Sequence, residues 1–216
     1  MTPPAAVLFD CDGVLADSEA AVNALLAAEL TARGWRISGT EAEELFLGMA
    51  LPDMLPVIEA RTGRLPPGWA QDLSLRIARE IWAMLRPVPG APEAVASVRA
   101  AGLPAAVASN AGRAELAAKL AALGLAEAFA GCAFSFEDVA RPKPAPDLYL
   151  AAAASCGAAP RDCVVVEDSL LGVQAGVAAG CRVLGLARRT APEVLAAAGA
   201  EPFPAMEMLP GLLGLG

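Results

Sequence analysis

The chain has 216 residues, 56% of them hydrophobic, and a formal charge of −8. That length buries one large domain or a core with a smaller insertion, and the net acidity argues against a nucleic-acid footprint, which needs a basic face. No histidine occurs anywhere, which excludes His-based triads, H-E-x-x-H zinc sites and histidine bases. No apolar run reaches the roughly 18 residues of a membrane helix. Met1-Thr2-Pro3-Pro4 lacks the basic flank of a secretory signal. A cytoplasmic protein with no membrane or nucleic-acid partner, a monomer or at most a dimer, is expected. Cys11, Cys132, Cys156, Cys163 and Cys181 form no C-x-x-C pair and read as reduced, buried small hydrophobes. Chemistry must therefore run on carboxylates, Lys, Arg, Ser or Cys.

The first apolar run, Ala5–Phe9, predicts a strand, as do Ala105–Ala108, Cys132–Phe136, Cys163–Val166 and Arg182–Leu186. Short continuous apolar runs suit strands buried on both faces of a parallel sheet. Between the first strand and Val88 no convincing strand occurs. Helical patterns appear there near Glu19–Arg33, Glu41–Leu47, Pro52–Arg61 and Trp69–Leu85. A βα connection takes only a few residues, so this stretch is an inserted helical module. Arg86-Pro87-Val88-Pro89-Gly90 marks the return. Beyond it, helices over Ala91–Ala101, Ala114–Leu123, Pro146–Cys156 and Leu170–Ala179 alternate with the strands, with Gly102, Gly124, Gly157 and Gly180 at their C-caps. The prediction is an α/β fold: a doubly wound, Rossmann-like parallel sheet over residues 1–15 and 88–216, with a helical cap over residues 16–87. The alanine richness has no internal period.

Four segments carry candidate chemistry, each at a strand's carboxyl end, the ligand-binding edge of open α/β sheets. In Phe9-Asp10-Cys11-Asp12-Gly13, Asp10 and Asp12 point to one side while Cys11 points into the core. Two such carboxylates repel unless a cation compensates, and Mg²⁺ with oxygen ligands is the natural partner; an ordinary Asp-Gly turn is the alternative. Ser109-Asn110-Ala111-Gly112 exposes backbone N–H groups near a helix start, suited to phosphate oxygens, or is a plain helix N-cap. Arg141-Pro142-Lys143-Pro144-Ala145-Pro146 holds Lys143, one of only two lysines, on a stiff loop; a solvated lysine before a helix is the bland reading. Glu167-Asp168-Ser169 adds carboxylates for a metal site, or an acidic helix start favoured by the dipole.

The order Asp-x-Asp-Gly-Val-Leu-x-Asp-Ser, a strand-end Ser, Lys-Pro-x-Pro-x-x-Tyr and Glu-Asp-Ser-x-x-Gly, with Gly176–Gly180 beyond it, resembles the four-motif signature of the haloacid dehalogenase-like hydrolases. Lys143-Pro144-Ala145-Pro146-Asp147-Leu148-Tyr149 is similar to the subgroup of β-phosphoglucomutase and related sugar-phosphate phosphatases. The resemblance implies a Mg²⁺-dependent phosphatase of a small phosphorylated metabolite. Asp10 would be the nucleophile and form an aspartyl-phosphate. Asp12 would protonate the leaving oxygen and later deprotonate water. Mg²⁺ would be held by Asp10, the Asp12 main-chain carbonyl and Asp168, with Glu167 either a ligand or an orienting group. Ser109, Asn110 and Lys143 would bind phosphate, and Gly48 of the cap would face the substrate.

Asp12 argues for phosphate over halide, because halide leaves without a proton. A Schiff-base phosphonate enzyme would need a cap lysine, and none lies between Val14 and Val88. The runner-up is a phosphomutase. β-Phosphoglucomutase carries a cap histidine near the position of Val22 and basic cap residues for a second phosphate, and Met49-Ala50-Leu51-Pro52-Asp53 has no such base. Within the cap, Trp35, Trp69 and Trp82 are expected to pack helices rather than line a pocket, and Arg61, Arg64, Arg76, Arg79 and Arg86 to be solvated.

Overall fold

Four consecutive apolar residues form β1 (Ala6–Phe9), and all four are completely buried. The computed structural model describes residues 3–81 and 85–215. From β1 the chain passes through β2 (Ala16–Asp17) into four helices, α1 (Glu19–Ala32), α2 (Gly39–Phe46), α3 (Leu51–Thr62) and α4 (Trp69–Glu80). It returns along β3 (Arg86–Pro87), which pairs antiparallel with β2. Next come α5 (Ala91–Ala100), β4 (Ala105–Ala108), α6 (Arg113–Ala122), β5 (Ala133–Phe134), α7 (Asp147–Ser155) and β6 (Cys163–Glu167). The chain closes with α8 (Leu170–Ala178), β7 (Arg182–Leu186), α9 (Pro192–Ala197), β8 (Glu201–Phe203) and α10 (Leu209–Leu212).

Six strands make one parallel sheet in the order β5-β4-β1-β6-β7-β8. Because successive side chains alternate faces, Val7 and Phe9 enter one apolar cluster while Ala6 and Leu8 enter the other. This is why β1 carries no polar residue: both of its faces are covered by protein. The doubly wound α/β class predicted from the sequence is the one observed. Phe9 is paired with Val107 on one side and Val166 on the other. The strand ends of β1, β4 and β6 are thereby level, and the residues after them emerge together.

Strands β1, β4, β6 and β7 match their apolar runs to within a residue, whereas β5 is shorter than its run because Phe136–Asp138 turns into a 3₁₀ helix. Edge strand β8 was not predicted; three residues with Pro202 at the centre carry no strand pattern, and proline is tolerated only at such an edge. The helices between β2 and β3 are fixed mainly by their own contacts. Ser38 and Glu41 form a reciprocal capping box at the start of α2, with Oε2 of Glu41 accepting from the Ser38 N–H at 2.8 Å. Trp35 meets Phe46 edge-on at 6.2 Å. Trp69 is buried and donates from Nε1 to Glu29 at 2.9 Å. Arg61 and Arg33 lie over the Trp35 and Trp69 rings. These two tryptophans therefore pack helices, as expected, while Trp82 lies outside the described residues. Among the described residues no helix is long and apolar enough to cross a membrane.

Helix α8 lies unusually close to the sheet at Gly176. A Cβ there would come within 2.8 Å of Cγ2 of Val183 and 3.2 Å of Cγ1 of Val165. A branched side chain has nowhere to go except by moving the helix. Gly176→Val is expected to lower stability by about 1–3 kcal/mol, read as a lower midpoint in chemical denaturation; an unchanged midpoint would show that α8 is not held against β6 and β7 as described.

Candidate active site

The carboxyl ends of β1, β4 and β6 bring together the four segments singled out in the sequence. The Asp10 N–H donates to the carbonyl of Val166 at 2.9 Å, which ties the first residue after β1 to the end of β6. The Ser109 N–H donates likewise to Phe134, at 2.9 Å, across to β5. After Asp10 the chain turns sharply through Gly13 at φ 78°. A Cβ on Gly13 would collide with the Asp168 carboxylate, so this turn needs glycine for both conformation and space.

Lys143 occupies the centre. Only 2% exposed, it donates from Nζ to Oδ1 of Asp10 at 2.6 Å and to Oε1 of Glu167 at 2.7 Å. Its loop is anchored by Asn110, whose Oδ1 accepts from the Lys143 N–H at 3.0 Å and whose Nδ2 donates to the Lys143 carbonyl at 3.1 Å. The stiff-loop reading of Lys143 therefore holds, and the solvated-lysine reading does not. Burial raises the Asp10 carboxyl well above the ordinary carboxylate range; Lys143 opposes that rise, while Glu167 and Asp12 add to it. A further cation beside Asp10 would relieve this.

Asp10, Glu167 and Asp168 present carboxylate oxygens within 4.8 Å of one another, all buried. An all-oxygen, acidic donor set suits a hard divalent ion such as Mg²⁺. The three are not equivalent, however. Oε1 of Glu167 accepts from Lys143 and from the Tyr149 hydroxyl at 2.9 Å; Oε2 accepts from the N–H groups of Asp168 and Ser169 and from the Ser169 hydroxyl, at 2.9, 3.0 and 3.0 Å. A carboxylate offers about four lone-pair sites, so five donors leave Glu167 none for a metal. Of the two roles left open by the sequence, the geometry fits the orienting one. In this arrangement Glu167 fixes Lys143 and the start of α8.

The Asp12 side chain turns away from this group. It pairs with Nζ of Lys119 and accepts from the Ser18 hydroxyl, and the Ser109 hydroxyl lies 3.4 Å from its Oδ2. Burial opposes ionisation of Asp12, but Lys119 and the Ser18 hydroxyl outweigh it, and its carboxyl sits below the usual range. Its carboxylate is outside the group of Asp10, Glu167 and Asp168 that could hold a metal ion, although it lines the same cleft. The Ser109 hydroxyl also accepts from the Ala111 N–H at 3.0 Å.

Two expected substrate contacts, Asn110 and Gly48, line the cleft and are bonded to one another. Asn110 Nδ2 donates to the Gly48 carbonyl at 2.9 Å as well as to Lys143. The Asn110 side chain and the Gly48 carbonyl are thus engaged with one another across the contact between the inserted helices and the sheet. Asn110 is left with its backbone N–H for a ligand, and Gly48 fits tightly against Ser169, whose Oγ would be 3.1 Å from an added Cβ. Over these groups the insert leaves a cleft of about 110 Å³, floored by Asp10, Asp168, Lys143 and Ser109 and walled by α1, α3 and α4.

Sequence reading missed Lys119 and Glu115. Both lie on α6, four residues apart, and are buried, with Lys119 only 1% exposed and its Nζ 2.6 Å from Glu115. The available signal was their helical spacing behind Ser109 and the scarcity of lysine; nothing local says that this face of α6 lies beneath Asp12. Lys119 has burial against it, but Asp12 and Glu115 keep it charged, with its pKa raised. Removing it leaves two buried carboxylates facing each other. Lys119→Met is therefore expected to cost about 3–5 kcal/mol of stability, with much of the loss recovered in the Lys119→Met/Glu115→Gln double variant. Additive losses in equilibrium unfolding would contradict the triad.

The family pattern of the haloacid dehalogenase-like hydrolases matches residues 4–180. Hexitol phosphatase B of Escherichia coli K12 is 33% identical over 180 residues, which are 82% of this chain and 81% of that protein. The chain spans only 19% and 48% of the lengths of two Arabidopsis thaliana relatives that are 35% and 28% identical to it. Among solved structures, a Deinococcus radiodurans R1 hydrolase of this family, with bound phosphate and sodium, superposes with TM-score 0.74 at 32% identity, covering 100% of this chain and 98% of that one. CbbY of Rhodobacter sphaeroides, bound to xylulose-1,5-bisphosphate, gives TM-score 0.81 at 26% identity, with 98% and 99% covered. With the pattern matched from before β1 to beyond α8, this chain belongs to the haloacid dehalogenase-like hydrolases.

Proposed function

We propose that this hydrolase is a Mg²⁺-dependent phosphatase that cleaves a small phosphate monoester, a sugar phosphate or similar metabolite, through an aspartyl-phosphate on Asp10. Residues 1–15 and 88–216 are its catalytic core and residues 16–87 its cap. The observation that carries the reading is Lys143, buried and bonded at once to Asp10 and Glu167, with Asp168 alongside. A carboxylate among carboxylates can approach an anionic phosphate only where fixed positive charge offsets the repulsion. The phosphatase names of relatives such as hexitol phosphatase B agree with it. Five unpaired cysteines fit a reducing compartment, the cytoplasm.

Asp10 attacks phosphorus in line with the leaving oxygen and becomes phosphorylated, an O–P bond forming to its carboxylate as the bond from phosphorus to the leaving oxygen breaks. Lys143, the Ser109 hydroxyl and the backbone N–H groups after Ser109 hold the phosphoryl oxygens, on which negative charge is spread. Asp12 gives the leaving oxygen its proton, then takes one from the water that releases phosphate. For the first transfer Asp12 must bind a proton against the pull of Lys119 and Ser18, which favour its ionised form; that ionised form is the one the second half-reaction needs. Asp10, Asp168 and the Asp12 carbonyl would hold Mg²⁺, which when bound supplies charge neutralisation for the transferring group. A phosphomutase would need insert groups to hold a second phosphate, and no insert cation lines the cleft among the described residues.

Asp10→Asn keeps the shape and removes the nucleophile. Its turnover of p-nitrophenyl phosphate is expected to fall below about a thousandth of wild type, with the fold intact by circular dichroism; substantial residual turnover would sink the assignment. Stripping the protein with EDTA is expected to abolish turnover and added Mg²⁺ to restore it. Full activity after chelation would remove the metal from the mechanism.

A further inference from the structure

The wall of the cleft facing the phosphate groups differs from its floor. From the insert come Val22, Leu26, Phe46, Met49, Met54 and Ile77, and the polar contributions there are limited to Asn23 and Ser74. No lysine, arginine or histidine of the insert lines the cleft among the described residues. Three of the insert's arginines are engaged elsewhere: Arg33 with Glu29, Arg76 with Glu29 and Glu80, and Arg61 over Trp35. One cation, Lys119, does reach the cleft beyond Asp12, but it is already bonded to two carboxylates, Asp12 and Glu115. A second anionic group on the substrate would find apolar side chains or two acids there. An anion moved from water into such surroundings loses its hydration and gains no partner. The cleft is also well below the roughly 300–1,000 Å³ of sites that take drug-sized ligands, which fits a leaving group of few atoms.

We propose that the site selects phosphomonoesters whose leaving alcohol is small and uncharged, such as a short polyol or deoxy-sugar with an apolar edge, and discriminates against leaving groups that carry a carboxylate or a second phosphate. This rests on the phosphatase reading and narrows it. The Ser74 hydroxyl on this wall can meet a substrate hydroxyl, while the aliphatic wall covers C–H faces. Selectivity comes from what the insert lacks rather than from a specific clamp, so neutral esters of similar size should be accepted over a broad range.

The test compares matched esters on the purified chain with Mg²⁺: polyol monophosphates against the corresponding aldonate phosphates and sugar bisphosphates, with p-nitrophenyl phosphate as reference. The expected result is a kcat/KM on the order of 100-fold higher for the neutral leaving groups. Equal or faster turnover of the carboxylate- or phosphate-bearing esters overturns the proposal while leaving the phosphatase reading in place. No turnover of any ester, p-nitrophenyl phosphate included, overturns the phosphatase reading and this proposal with it. Met54→Lys places a cation on the half-buried insert wall, where a long stem can be accommodated. It is expected to shift the preference towards the anionic esters by about tenfold or more, and Leu51→Lys gives the same readout should Met54→Lys fail to fold. An unchanged preference in both folded variants counts against an electrostatic origin of the selectivity.

Discussion

The ion pair of Lys143 with Asp10 and Glu167 is the constraint around which the remaining parts are arranged. A lone buried ammonium or carboxylate is costly, and removing one partner of a buried pair is costlier than never having had it. Every neighbour of the trio serves to keep it satisfied. Asn110 fixes the lysine's backbone, Tyr149 and the first N–H groups after β6 complete Glu167, and the Val166 carbonyl holds the Asp10 backbone. Because β1 and β6 are buried on both faces, these contacts rest on strands that cannot shift without disturbing the whole sheet.

The chain has two lysines, and both are used the same way, each buried between two acids. Lys143 faces Asp10 and Glu167; Lys119 faces Asp12 and Glu115. The strand-end Asp-x-Asp is thereby divided between two electrostatic environments. Asp10 sits among carboxylates and is driven up, while Asp12 is held down by its lysine and a hydroxyl. Two like residues two positions apart thus acquire different proton affinities from their surroundings, and Asp10 is the one that a further cation alongside would bring back towards its ionised form.

What was legible in the sequence follows from the range of the interactions. Strands β1, β4, β6 and β7 and helices α5 to α8 could be read because their burial imposes a local pattern, with glycines stopping the helices; Gly180, for instance, takes φ 82°. The convergence of Asp10, Ser109, Lys143 and Asp168 followed from strand-end position in a parallel sheet. The sequence left two roles open for Glu167, because a carboxylate near a metal and one beside a lysine look alike in sequence; its five donors come from residues up to 24 positions away. Lys119 escaped because its partner is 107 positions away and its α6 helix is ordinary by every local measure. Asn110 was read as a substrate contact because a polar residue after a strand-end serine resembles one; its engagement with Gly48 depends on where the inserted helices come to rest.

That last contact links chemistry to architecture. The insert grows out of the chain four residues beyond Asp12, and Ser18 near its start is bonded back to the Asp12 carboxylate. At its far side Gly48 accepts from Asn110, which also anchors Lys143. In the loop after β7, Arg189 pairs with both Asp17 of β2 and Glu43 of α2. Two of the three tethers include residues that line the cleft, Asp12 in one and Gly48 and Asn110 in the other. Lifting the insert away to admit a substrate would therefore break the bonds that aim Asp12 and steady the Lys143 loop, and lowering it would remake them. Completion of the site and exclusion of water would then be one event, set by the same few bonds.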